Sequence, residues 1–80
     1  MKQLTAYQVE KITELMKGQA KNLSQISRNY GVVYHQIRNW LRGQKARTGS
    51  AVHFKHIIEQ ELGIEIDKLM PTSEVNGRLT

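Results

Sequence analysis

Apolar residues recur three and four positions apart along most of this chain, and no segment shows the two-residue alternation of a strand. Val9, Ile12, Leu15 and Met16 form the first stripe, with Glu10, Lys11 and Glu14 on the opposite face. Thr5 followed three residues later by Gln8 predicts a capping-box start, with Leu4 placed to staple against Val9 and Gly18 as the C-cap. A second start follows at Asn22, with Gln25 at the third helical position and Ile26 and Tyr30 facing inward. Gly31 suits the left-handed conformation of a tight turn between helices, and Val32 is expected to plug the core from that turn. A third helix is predicted from Val33 or Tyr34, with Ile37, Trp40 and Leu41 inward and Gly43 at its end. The polar, basic run Gln44–Gly49 reads as a loop. Thr48 or Ser50 then caps a fourth helix whose apolar positions are Phe54, Ile57, Ile58 and Leu62, closed by Gly63. Ile64, Ile66, Leu69 and Met70 predict a short fifth helix, stopped by Pro71. The expected fold class is all-α. It is a compact bundle of about five short helices in residues 1–70, followed by a flexible C-terminal tail over 71–80.

Length changes this picture little but sharpens it. A chain of 80 residues makes one domain, of a size at which a core supplies only about 3–5 kcal/mol of net stability. Dimerisation or ligand binding therefore helps. There is no cysteine, so no disulfide framework or thiolate metal site is expected. Neither a signal-peptide-like apolar run at the start nor a membrane-length apolar stretch is present in the sequence. The expectation is a cytoplasmic protein with no membrane partner.

Charge changes the picture most. No acidic residue lies between Glu14 and Glu59, while that stretch holds Lys17, Lys21, Arg28, Arg38, Arg42, Lys45, Arg47 and Lys55, eight of the twelve Lys/Arg in a chain of net charge +5. A one-signed field around a helix, a glycine turn and a second helix is the footprint of a nucleic-acid-binding protein. On the third helix, Val33, Tyr34, His35, Arg38, Asn39 and Arg42 form the outward set. Arg can bond guanine O6 and N7 bidentately, Asn can bond adenine N6 and N7, and Tyr and Val offer apolar contact to a thymine methyl. Val33, Tyr34, His35, Arg38 and Asn39 are the expected base contacts. Lys21, Asn22, Ser24, Arg42, Lys45 and Arg47 lie at helix ends and in loops, which track the DNA backbone, and are the expected phosphate contacts.

Other chemistry is sparse. His53 and His56 have a spacing that could share a metal, but no cysteine or carboxylate pair completes the set, so no metal site is expected. No nucleophile arrangement or Gly-rich phosphate loop suggests an enzyme, and no cofactor or small-molecule ligand is evident. Glu59, Glu61, Glu65 and Asp67 form an acidic cluster of the kind usual on a solvated face.

With Ile26, Tyr30, Gly31, Val32, Ile37, Trp40 and Gly43 in these positions, the chain resembles the Cro/lambda-repressor-like helix-turn-helix domains related to the xenobiotic-response-element family. Downstream, Ile57 to Met70 is similar to that family's apolar helix, Leu-Gly and short final helix. The resemblance covers about residues 5–70, and short phage regulators of the Cro and Ner kind are nearest in length. Ser27 stands where the family usually has Ala, Leu23 where it usually has Gln, and the loop before the fourth helix lacks the frequent proline. The resemblance implies a sequence-specific, double-stranded-DNA-binding transcriptional regulator, a repressor of phage or prophage type, with residues 33–42 in the major groove. Because a single recognition helix reads few base pairs, a homodimer is expected, in solution or on the operator; Ile64, Ile66, Leu69 and Met70 either form its interface or close the monomer's own core. The alternatives are an antitoxin or other protein-interaction module, and the DNA-targeting domain of a transposase or terminase.

Overall fold

The computed structural model describes residues 3–70. Four α-helices, α1 (Ala6–Gly18), α2 (Leu23–Tyr30), α3 (Tyr34–Leu41) and α4 (Thr48–Leu62), precede one 3₁₀ turn at Ile66–Lys68, with no strand among the described residues. None of these helices is long and apolar enough to cross a membrane. The proposed tail at 71–80 lies outside the described residues.

Local sequence explains most helix ends. Gln8 N–H bonds the Thr5 hydroxyl at 3.1 Å while Thr5 N–H bonds Gln8 Oε1 at 2.9 Å, completing the capping box. Asn22 caps α2 through Gln25 N–H at 3.2 Å. Gly31 and Gly63 end α2 and α4 in the left-handed conformation, at φ 67° and 68°.

Two expected caps are replaced. Helix α1 runs through Gly18, and the left-handed residue is Ala20, at φ 54°. The reversal there is closed by Lys21 N–H on Met16 O at 2.9 Å, which demands positive φ two residues later than Gly18 stands. Helix α4 starts at Thr48 itself, so neither Thr48 nor Ser50 is the cap. Extended Arg47 takes that place without a side-chain bond, and Ala51 N–H on Arg47 O at 2.8 Å starts the ladder.

The core is one cluster. Ile12, Ile26, Ile37, Trp40, Ile57, Ile58 and Ile66 are essentially inaccessible, with Phe54 close behind. Fully burying each such side chain contributes about 1.5–3 kcal/mol. Trp40 from α3 meets Phe54 from α4, ring centroids 5.9 Å apart. Leu4 is buried, and Val9, Tyr30 and Val32 pack half-buried against the cluster.

The expected fifth helix is a single 3₁₀ turn. Its geometry is set by α4: Ile66 N–H bonds Glu59 Oε2 at 2.8 Å, and Lys55 bridges to Asp67 at 2.9 Å. The first contact takes the Ile66 donor and both seat the turn against α4, leaving too few residues before Pro71 to propagate an α-helix. Gln8 adds a clamp from the other end of the chain, its amide donating to Ile66 O at 3.2 Å across 58 residues.

Candidate nucleic-acid interface

The expected surface centres on α3. Val33 is its N-cap, with no side-chain cap bond, and Arg42 its C-cap, so the helix is one residue shorter at each end than the span 33–42. Ile37, Trp40 and Leu41 are buried, as the inward pattern requires. Val33 and Tyr34 are exposed at 54% and 37% of their surface, large values for apolar and aromatic side chains. His35 is exposed beside Tyr34, the two rings edge to face at 5.8 Å.

Arg38 and Asn39 are half-buried and diverge to opposite flanks. The Arg38 guanidinium lies over the Tyr34 ring at 5.7 Å and leans on the α1 side, where it lines a groove with Leu23 and Arg42. Asn39 faces α4 and lines a polar cleft of about 440 Å³ with Gln36, Gln44, Lys45 and Arg47. A weak bond, Arg38 Nη2 to Asn39 Oδ1 at 3.5 Å, links the two side chains across the ridge. The outward set of α3 is thus a ridge with two walls rather than one flat face.

Helix starts face these walls. At α4 the amides of Thr48, Gly49 and Ser50 precede the first intrahelical bond and receive no side-chain cap, while Lys45 and Arg47 stand immediately before them. Uncapped amides and the positive end of the helix dipole favour an anion. Asn22 and Ser24 lie exposed at the start of α2, where Asn22 Oδ1 is already engaged with Gln25 N–H and the Ser24 carbonyl accepts from the Ser27 hydroxyl at 2.8 Å.

Ion pairing divides the basic residues of the acid-free stretch. Lys21 reaches Glu61 at 3.7 Å, and Lys55 reaches Glu59 and Asp67. Hydrogen bonding to Asp67 raises the Lys55 pKa above its ordinary value, with the Glu59, Asp67 and Glu65 charges adding to it against burial. Lys17, Arg28, Arg38, Arg42, Lys45 and Arg47 have no carboxylate partner among the described residues. Of the six residues expected at phosphates, Lys21 alone must exchange an existing ion pair to contact one.

No family model, curated protein or solved structure matches this chain.

Two polar residues escaped the outward pattern. Gln36 and Gln44 line the cleft beside Asn39. Gln36 is one turn before Asn39, so helical spacing alone placed it on that flank; what hid it is that the flank itself exists only once α4 is docked. Lys17 likewise sits on the α1 wall of the other groove, where α1 meets α2 and α3.

Proposed function

We propose that this chain is a sequence-specific, double-stranded-DNA-binding transcriptional regulator, a repressor of phage or prophage kind. In this reading α2 and α3 act as a helix-turn-helix and α3 lies in the major groove. The observation that carries the reading is the distribution of charge: Arg38, Arg42, Lys45 and Arg47, on α3 and its connection to α4, have no carboxylate partner among the described residues, nor does Lys17 beside them. Holding like charges together in the free protein is unfavourable, and a polyanion is the ligand that offsets it. Val33, Tyr34 and His35 meet base edges from the first turn, while Arg38 and Asn39 read from the two walls. Arg42, Lys45 and Arg47 contact phosphates, with the open amides of α4 adding to them.

A two-fold homodimer is part of this proposal, because one short recognition helix reads too few base pairs for genomic selectivity. Of its four candidate interface residues, most pack within the monomer, the second of the two roles the sequence left open for them. Ile66 is fully buried, and Ile64 and Leu69 pack on the monomer's own core, so among the four candidates only Met70 is exposed, at 53%.

Selection of bound duplexes from a random double-stranded DNA pool tests the proposal. The expected product is a defined inverted repeat, with half-sites about 34 Å apart centre to centre. Recovery of a pool indistinguishable from the input, under low-salt conditions with folded protein, would overturn it.

A further inference from the structure

An open groove of about 320 Å³ runs between the end of α1, the start of α2 and the end of α3. Met16, Leu23 and Leu41 form its floor. Lys17, Lys21, Arg38 and Arg42 form its rim, and no carboxylate of the described residues lines it. Leu23 gives the groove its character. It is the first residue of α2, directly after the capping Asn22, and only half-buried, so part of its side chain faces water in the midst of cations. Covering that apolar area with another apolar group is favourable.

The rim is ready for anions in a specific way. Lys17, Arg38 and Arg42 have no carboxylate partner among the described residues. The Nε–H of Arg38 is buried and has no acceptor among the described residues, so its guanidinium is not fully satisfied within the fold. A DNA backbone supplies phosphates to such a rim but only the C–H edges of its deoxyribose rings for the floor. A polypeptide with an apolar side chain between Asp or Glu residues supplies both.

We propose that this groove receives a short acidic segment of a partner protein. An aliphatic or aromatic anchor of that segment rests on Met16, Leu23 and Leu41 while its carboxylates pair with Lys17, Arg38 and Arg42. The apolar anchor supplies contact area and the carboxylates orient it, a division of labour common at interfaces. Because Arg38 and Arg42 also belong to the DNA-facing surface, segment and DNA compete for the same side chains. Seating the segment does not itself depend on DNA binding.

The test is selection of phage-displayed random peptides on the immobilised full chain. The recovered peptide is then synthesised and titrated by fluorescence anisotropy and methyl NMR. The expected peptides carry Asp or Glu flanking Leu, Ile or Phe, and shift the methyl signals of Met16, Leu23 and Leu41. Lys17→Glu, at an exposed position, is expected to weaken peptide binding by about tenfold, more than a peripheral charge acting alone. Leu23→Ala is expected to weaken it comparably and Leu23→Met to restore it, since Met conserves volume. The proposal is overturned by recovery of no acidic–apolar sequence, by shifts confined to other methyls, or by unchanged binding in Lys17→Glu. It is equally overturned if a random-sequence duplex shifts these methyls and the peptides do not, which assigns the groove to the DNA backbone. Measuring DNA affinity on the same variants keeps failure of this proposal distinct from failure of the regulator reading.

Discussion

The Tyr30 hydroxyl donates a 2.8 Å hydrogen bond to the Glu61 carboxylate, tying the last residue of α2 to the last turn of α4. Lys21 approaches the other oxygen of the same carboxylate at 3.7 Å. Glu61 thus contacts the chain at both ends of α2, the first helix of the proposed DNA-facing pair.

That bond predicts a pH dependence. Hydrogen bonding to Glu61, then burial and the carboxylate charge, push the Tyr30 pKa up from 10.0. A group whose folded pKa is raised stabilises the fold fully below its unfolded pKa, and loses that contribution as pH rises through the folded one. Urea stability measured from about pH 8 to 11 is therefore expected to fall more steeply in the parent chain than in Tyr30→Phe. Parallel decline of the two proteins would show that the bond carries no linkage.

Trp40 is a structural residue. It is 1% exposed and packs against Phe54 across the α3–α4 junction. Trp40→Ala is expected to cost about 3–5 kcal/mol, enough to unfold so small a domain. Circular dichroism with urea titration checks it, and a folded Trp40→Ala protein deficient only in DNA binding would reassign the ring to recognition.

Gly31 isolates backbone strain from packing. A Cβ there meets nothing within 4 Å, yet φ is +67°. Gly31→Ala is expected to destabilise by about 1–2 kcal/mol through the left-handed conformation alone. Gly31→Asn is expected to lose less, because Asn tolerates that region. Equal urea midpoints for the Ala and Asn variants would contradict this account.

Base reading and phosphate neutralisation separate by substrate. Arg38→Ala or Asn39→Ala is expected to cost about 1–3 kcal/mol on the selected site and far less on random DNA. Lys45→Ala or Arg47→Ala is expected to weaken both alike and to flatten by about one unit a salt slope near −4 per monomer. Equal losses on both duplexes for Asn39→Ala would demote it to a backbone contact.

Signals confined to one turn of chain were legible in the sequence. The Thr5–Gln8 box, the Asn22 cap, the Gly31 turn and the inward face of Ile37, Trp40 and Leu41 all stand where spacing put them. What spacing did not reveal depended on contacts made elsewhere. Ala20 takes the left-handed role expected of Gly18 because Lys21 N–H must reach Met16 O. Ile64 to Met70 has helical periodicity, but Glu59 and Lys55 of α4 tie the segment into a single tight turn. On the candidate site, the outward set of α3 followed from periodicity, whereas its two walls did not, since they are built by α1 and α4. Arg38 and Asn39, adjacent in sequence, were therefore not separable until those helices docked.

The clamp from Gln8 to Ile66 makes the described chain a ring that lacks one link. The first turn of α1 and the 3₁₀ turn thus touch although 58 residues separate Gln8 from Ile66. A circular permutant follows: a short flexible linker between the segments carrying Leu4 and Leu69, and new ends cut in the exposed Gln19–Asn22 connection. It is expected to keep the parent helical circular dichroism and a cooperative thermal transition. Non-cooperative melting of the permutant would show instead that α1 must be continuous with α2 for the ring to close.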